Sequence, residues 1–315
     1  MVIKSLITFN YGDEKMKKLE ELGYDIIVED ENNVVYSNEL SEIEVLVCYN
    51  PFDTLDISKM KNLKWIQLSS AGIDQLPINY TKGTDIIVSN NKGGYSIPMG
   101  EWVVLKILEM LKHSAKLYDN QNKKIWKMDT KILELCGKTV GFIGTGNIAQ
   151  QSAKRLQGFE VKTLGVNTKG NDVEYFDKCF SIMKIDEMLN LCDIVILTIP
   201  YTEETYHLIN SERISHMKTG AYFINVARGL IVDENALIEA LQNGKIVGAS
   251  LDVVEKEPLS EQSPLWEMEN VIITPHNSWI SEKKNDRRYE LIYENMKSYI
   301  EGRELRNVID MNKGY

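Results

Sequence analysis

Residues 139–149 read TVGFIGTGNIA. A short strand-like run ends at Ile143. Gly144, Thr145 and Gly146 follow, and Asn147, Ile148 and Ala149 open a segment with helical character. In a strand–turn–helix of this kind the first glycine lets the chain reverse sharply. The second lets the backbone approach a pyrophosphate, which rests on the helix N-terminus. Ala149 stands at the fingerprint's third glycine, an accepted variant. A lone GxGxxA also marks ordinary tight turns. Here the run before it is strand-like and AQQSAKRLQ (149–157) is amphipathic, so the reading turns toward a dinucleotide site.

Outward from this turn, short apolar runs alternate with helical segments. VKTLGV (161–166), DIVILTI (193–199), AYFINVA (221–227), KIVGASLDV (245–253) and VIITP (271–275) read as strands. Helix N-caps are expected at Asp186, Ser211 and Asp233, and a final helix at about 282–301. The first hundred residues repeat the alternation, with strands at 2–9, 25–28, 44–49, 64–69 and 85–89 and a helix at 13–22. Between the two series, Pro98 precedes MGEWVVLKILEMLKHSAKLYDN, which has apolar residues at helical spacing. A Lys-rich stretch with Trp126 follows. This predicts an α/β protein of two parallel-sheet domains. One comprises residues 1–98 and 282–315, and the other, 99–281, is inserted into it.

The chain has 315 residues and a net charge of −10, which argues against nucleic acid as a partner. Cys48, Cys136, Cys179 and Cys192 lack metal-like spacing, so no metal site is expected and inert thiols in a reducing cytoplasm are. The N-terminal apolar run is too short for a signal peptide, and the longest apolar stretches are strand-sized, so no membrane association is expected.

An acidic residue usually ends the second strand of a dinucleotide fold, where it bonds the ribose 2′-hydroxyl of NAD. Here Asn167, Thr168 and Lys169 stand at that place. Amide, hydroxyl and ammonium groups accept a 2′-phosphate that a carboxylate would repel, so NADP(H) is expected to be preferred over NAD(H). Three further polar residues follow three successive strands. Arg228 follows AYFINVA, Glu257 follows the strand ending in LDV, and His276 follows VIITP. Any one alone reads as a surface salt-bridge partner. Three at strand ends, where ligands bind in such folds, point to a site. His113, His207 and His216 are expected to be structural or superficial.

With these residues in view, the chain resembles the D-isomer-specific 2-hydroxyacid dehydrogenase family, which includes glyoxylate/hydroxypyruvate reductases and phosphoglycerate dehydrogenases. The resemblance rests on SSAGIDQLP (69–77), GEWVVLKIL (100–108), LCGKTVGFIGTGNIA (135–149), LTIPYTEETYHLIN (197–210), NVARGLIVDENAL (225–237), GASLDVVEKEPL (248–259) and ITPHNSW (273–279). It implies a Rossmann nucleotide-binding domain inserted into a flavodoxin-like substrate domain. It also implies reversible hydride transfer between a nicotinamide dinucleotide and a 2-oxo or D-2-hydroxy acid. Arg228 would anchor the substrate carboxylate and carbonyl, and His276 would be the general acid or base. Glu257 would hold the imidazolium, since an adjacent carboxylate favours the charged ring and fixes its orientation. The resemblance places Gly144, Thr145, Gly146, Asn147, Ile148, Thr198, Pro200, Ala227 and Asp252 at the cofactor. Asp252 would face the nicotinamide carboxamide, or else cap a strand end. It places Ser70, Ala71 and Gly72 at the substrate. Segment 99–135 would form a homodimer surface.

The chain departs from the family in the missing acid after the second strand and in NSW after His276, where small residues are usual. Trp279 lines the pocket or packs at the hinge. The chain as given ends at Tyr315, so the C-terminal regulatory modules of longer phosphoglycerate dehydrogenases are expected to be absent. Two competing readings share the fold. A formate dehydrogenase-like enzyme would not need the acid–base pair. A dinucleotide-sensing, non-catalytic protein would retain the same residues without turnover.

Overall fold

The computed structural model describes residues 2–314, which form two compact units. The first comprises Met1–Tyr95 with Ser281–Tyr315. Its elements are β1 (Ile3–Ile7), α1 (Asp13–Glu21), β2 (Tyr24–Val28), β3 (Val45–Cys48), β4 (Trp65–Leu68), α2 (Ile78–Thr81) and β5 (Ile87–Ser89). The strands pair in parallel in the order β2-β1-β3-β4-β5, so the order reverses between β1 and β3. β3 and β4 are buried on both faces, as a parallel sheet covered on both sides requires. One face packs Leu6, Leu46, Ile66 and Leu68 under the loops. The other packs Ile7, Val45, Val47 and Trp65 against Tyr289, Ile292 and Met296 of the C-terminal helix, Lys284–Ile300. Buried polar groups tie that helix in: the Asn295 amide donates to Gln67 Oε1 at 2.7 Å, and Ser89 donates to the same oxygen at 2.8 Å. The tail then runs along β5, where the Ile309 N–H donates to the Val88 carbonyl at 2.8 Å.

The second unit is Ser96–Ile280. It begins with α3 (Ser96–Leu111) and α4 (Ser114–Asn122). Then come β6 (Thr139–Ile143), α5 (Asn147–Leu156), β7 (Lys162–Asn167), β8 (Lys178–Ser181), α6 (Ile185–Leu189) and β9 (Ile194–Leu197). α7 (Ser211–Ser215), β10 (Ala221–Asn225), α8 (Glu234–Gln242), β11 (Ile246–Leu251) and β12 (Val271–Ile273) complete it. The sheet order is β12-β11-β10-β9-β6-β7-β8, all parallel. This is the doubly wound Rossmann order with one added strand, and it reverses between β6 and β9. The α/β class, with one Rossmann unit and one flavodoxin-like sheet, is as the sequence indicates.

Four local expectations are corrected. The strand β8 was not foreseen. The long helix after Pro98 breaks at His113, whose backbone is left-handed at φ 49° and which bonds Asp129 at 3.2 Å. Asp186 does not cap α6. A 3-10 turn runs straight into that helix, leaving Asp186 in its first turn with its carboxylate on Arg213 Nε at 3.2 Å. Ser211 does not cap α7, because Asn210 accepts the Arg213 N–H at 3.0 Å instead. Asp233 does cap α8, on the Ala236 N–H at 3.1 Å.

Candidate active site

At the reversal point of the second unit, Gly144 turns the chain out of β6 with φ 97°. A Cβ there would lie 2.8 Å from Ile199 Cγ2, so the position requires glycine. The Thr198 hydroxyl bridges the ends of β6 and β9, donating to the Ile143 and Gly144 carbonyls, each at 3.1 Å. Gly146 is different. Its φ of −73° suits any residue, and a Cβ there would meet no atom within 4 Å. It also starts α5 without a side chain to cap the helix N–H groups. Open space in front of an uncapped helix N-terminus fits the pyrophosphate of a dinucleotide, drawn by the helix dipole. Thr145, Asn147 and Ile148 flank that space in sequence. Pro200 and Ala227 lie in the loops that follow the neighbouring strands β9 and β10. The Pro200 carbonyl accepts the Thr205 hydroxyl at 3.0 Å, and the Ala227 N–H donates to Asn225 at 2.9 Å. We therefore expect Gly146→Ala to melt within about 1 kcal/mol of the parent, as unstrained surface changes do. Its dinucleotide affinity, read by fluorescence titration, should fall at least tenfold.

The end of β7 is built by one side chain. Asn167 Oδ1 accepts the backbone N–H groups of Lys169, Gly170 and Asn171 at 3.3, 2.7 and 3.1 Å. Its amide donates to the Thr145 hydroxyl at 3.3 Å and to the Asn171 carbonyl at 2.8 Å. Asn167 thus shapes the loop, while Thr168 and Lys169 stay exposed.

The three strand-end polar residues occupy adjoining loops. Buried Asn225 moulds the turn after β10, donating to the Arg228 carbonyl at 3.0 Å. The Arg228 guanidinium donates from Nη1 to the Ala227 carbonyl at 2.7 Å. The next residue must be glycine, because a Cβ on Gly229 would sit 1.9 Å from the Val254 carbonyl. That contact seats the Arg228 loop directly on the loop that carries Glu257. His276 Nδ1 lies 3.0 Å from Glu257 Oε2, and both side chains are about two-fifths exposed, at 39% and 41%. His276 Nε2 bonds no other described residue, so it is the atom presented outward. Partial burial pushes the Glu257 carboxyl up, but contact with His276, the Val254 N–H and the Arg228 charge together hold it below its ordinary value. Arg228 and His276 therefore both act on the Glu257 carboxylate.

Asp252 is the residue whose part sequence reasoning underestimated. It is buried, and its Oδ1 accepts the Thr274 hydroxyl at 2.6 Å and the Asn277 N–H at 2.9 Å. Its Oδ2 accepts the Ser278 N–H at 2.9 Å, and its carbonyl accepts the His276 N–H at 2.8 Å. These bonds hold His276 at φ 51°, a left-handed conformation that a non-glycine residue keeps only when its surroundings impose it. The Trp279 indole adds a bond to the His276 carbonyl at 2.9 Å. A strand-end aspartate is a weak sequence signal, since its partners lie more than twenty residues on. His207 pairs instead with Glu255 at 2.9 Å and stacks on Tyr206.

In the first unit, Ser70, Ala71 and Gly72 follow β4. All three carbonyls are engaged: the Asn91 N–H donates to Ser70 at 2.7 Å, the Asn90 amide to Ala71 at 2.7 Å, and the Ser70 hydroxyl to Gly72 at 2.7 Å. The N–H groups of Ala71 and Gly72 bond no described residue and remain available to an anion.

The fold and these loops define an oxidoreductase that uses a nicotinamide dinucleotide. The family model described as D-isomer specific 2-hydroxyacid dehydrogenase, NAD binding domain, matches residues 104–278, more than half of the chain. A glyoxylate reductase of Thermofilum pendens is 37% identical over 249 residues, covering 76% of this chain and 73% of that protein. A hydroxypyruvate reductase of Blautia hydrogenotrophica is 30% identical over 307 residues, covering 93% and 94%. A crystal structure of a D-isomer specific 2-hydroxyacid dehydrogenase from Xanthobacter autotrophicus Py2 in complex with NADPH and MES superposes with a TM-score of 0.84. It is 27% identical and covers 100% of this chain and 99% of that one. The chain belongs to the D-isomer specific 2-hydroxyacid dehydrogenase family, whose members are NAD(P)-dependent enzymes. No helix among the described residues is long and apolar enough to cross a membrane.

Proposed function

We propose that this protein reduces a small 2-oxo acid to the D-2-hydroxy acid and prefers NADPH to NADH. The observation that supports this most is the 3.0 Å contact of His276 with Glu257, a carboxylate that also feels the Arg228 charge. When bound, the reduced dinucleotide supplies the hydride. His276 delivers a proton from Nε2 to the carbonyl oxygen, and Glu257 stabilises the imidazolium before transfer. Arg228 binds the carboxylate and polarises the carbonyl, a task that suits its planar fork. In the first unit, Ser70 and the free N–H groups of Ala71 and Gly72 offer hydrogen-bond donors to a substrate acid group. Gly144, Thr145, Gly146, Asn147 and Ile148 hold the pyrophosphate, with Thr198, Pro200 and Ala227 beside it. Asp252 keeps the His276 loop in place at the nicotinamide end, and Trp279 braces that loop.

A spectrophotometric panel of glyoxylate, hydroxypyruvate, pyruvate and larger 2-oxo acids, each with NADH and NADPH, tests the reading. A protein that binds dinucleotide and turns over none of them is a dinucleotide sensor instead. The cofactor preference rests on Asn167, Thr168 and Lys169. One charge-assisted contact to the 2′-phosphate contributes about 1.5–3 kcal/mol, or roughly ten- to hundredfold. Asn167→Asp keeps an acceptor for the three loop N–H groups and places a carboxylate where the phosphate would sit. We expect it to move the kcat/KM ratio toward NADH. A parent equally efficient with NADH would overturn the preference.

We further propose a homodimer formed through the segment after α3. Tyr118, Ile125, Trp126, Met128 and Ile132 are all exposed there, a patch of the kind that marks an interface. Sedimentation of the pure protein tests this, and a monomer at micromolar concentration contradicts it. Four free cysteines, three of them buried, suit a reducing cytoplasm.

A further inference from the structure

The first unit holds an arginine that the proposed reaction does not use. Arg288, near the start of the C-terminal helix, is half-buried at the carboxyl end of that unit's sheet. Its Nε donates to the Tyr95 hydroxyl at 2.9 Å. Its guanidinium carbon lies 5.7 Å from the centre of the Phe9 ring and 5.9 Å from that of Tyr95. Tyr95 in turn donates to the Ser69 carbonyl, directly before Ser70, Ala71 and Gly72. Phe9 and Tyr11 follow β1, at the point where this sheet's strand order reverses, and crevices for ligands form at such points.

Two features of this cluster are incomplete in the protein alone. Arg288 has no carboxylate partner among the described residues, although the chain carries ten more negative than positive charges. Glu31, whose field reaches Tyr11, is engaged by the Thr8 hydroxyl at 3.1 Å and by the N–H groups of Tyr49 and Asn50, each at 2.6 Å. The Tyr11 hydroxyl is buried beside the Arg288 guanidinium, yet it makes no hydrogen bond of full geometry with a described residue. Burial pushes its phenol up, against the Arg288 charge, so it stays protonated and able to donate. A half-buried cation without an anion, and a buried hydroxyl without a well-formed hydrogen bond, are costly unless something completes them.

We propose that Arg288, with Tyr11 and Tyr95, binds a second acidic group on the substrate. This rests on the proposed function, in which Ser70, Ala71 and Gly72 of the same unit bind the 2-oxo acid. The substrate class is then a 2-oxo acid bearing a distal carboxylate or phosphate. The aromatic faces of Phe9 and Tyr95 keep the guanidinium oriented, and its terminal nitrogens offer a planar fork to either anion.

The test compares kcat/KM for matched substrates: 2-oxoglutarate against 2-oxopentanoate, and 3-phosphohydroxypyruvate against hydroxypyruvate. The parent should favour the doubly acidic member of at least one pair by tenfold or more, and which pair distinguishes carboxylate from phosphate. Arg288→Ala should lower that ratio roughly ten- to hundredfold, mainly through KM, and Arg288→Lys should restore part of it. Equal losses on both members, or a parent that favours the singly acidic ones, would overturn the proposal. If the parent reduces no 2-oxo acid, the proposed function fails separately. Calorimetric binding of 2-oxoglutarate and phosphate to the parent and to Arg288→Ala then decides this cluster on its own, and identical isotherms overturn it.

Discussion

Replacing His276 with alanine is expected to slow 2-oxo acid reduction by roughly 10²- to 10⁴-fold, the scale of a positioned acid or base. Reduction places a hydride on the carbonyl carbon and leaves its oxygen needing a proton. In the proposed reaction His276 supplies it. Glu257 faces Nδ1 at 3.0 Å, and the backbone of His276 is pinned at φ 51° through Asp252. Nε2 bonds no described residue, and the proposal assigns it to the substrate. The dinucleotide turn at Gly144–Asn147 is built by other residues, so cofactor affinity should change little. Single-turnover rates with a saturating dinucleotide report the chemical step. A rate within a few-fold of the parent would place the proton donor elsewhere.

Arg228→Ala should cost a hundredfold or more in kcat/KM, because loss of one preorganised donor at a developing oxyanion costs about 3 kcal/mol. The Gly229 contact with Val254 seats the Arg228 loop, and the Ala227 carbonyl holds one end of the guanidinium. Removing the side chain leaves that backbone in place, so dinucleotide binding is the internal control. Arg228→Lys should recover little, since an ammonium lacks the two-pronged geometry that a carboxylate beside a carbonyl demands. Near-parental turnover by the alanine variant would make Arg228 a structural residue.

Much of the fold is legible in the sequence, and the exceptions have physical causes. The central strands β3 and β9, VLVC and IVIL, are short apolar runs rich in valine and isoleucine, a strand signature. β8, Lys178–Ser181, escaped because it is an edge strand with two buried residues, Cys179 and Phe180. The break at His113 carries no glycine or proline, and apolar spacing runs through it, so periodicity alone extends the helix. Asn210 and Ser211 are adjacent and both suit a cap, and only the hydrogen bond chooses between them. At the site, Arg228, Glu257 and His276 were readable as strand-end polar residues. Asp252 was not readable as the anchor of the His276 loop, because that role lies in contacts with residues 274–278. The Arg288 cluster gathers residues from both ends of the chain, and no local pattern announces it.

The most direct test of the central claim is the pH dependence of reduction in the parent and in Glu257→Gln, measured with one good 2-oxo acid where chemistry limits the rate. Glu257 is held below the ordinary carboxylate range, so its favourable pairing is present above that range and lost only as pH falls through it. From neutral pH upward the carboxylate therefore stays ionised and paired with His276, and it is the reaction itself that takes up a proton. Reduction should therefore fall as pH rises, and oxidation of the hydroxy acid should show the opposite trend. Glu257→Gln removes the negative charge 3.0 Å from His276 Nδ1, so the falling limb of its reduction profile should lie at lower pH than that of the parent. Superimposable profiles would contradict the coupling of Glu257 to His276.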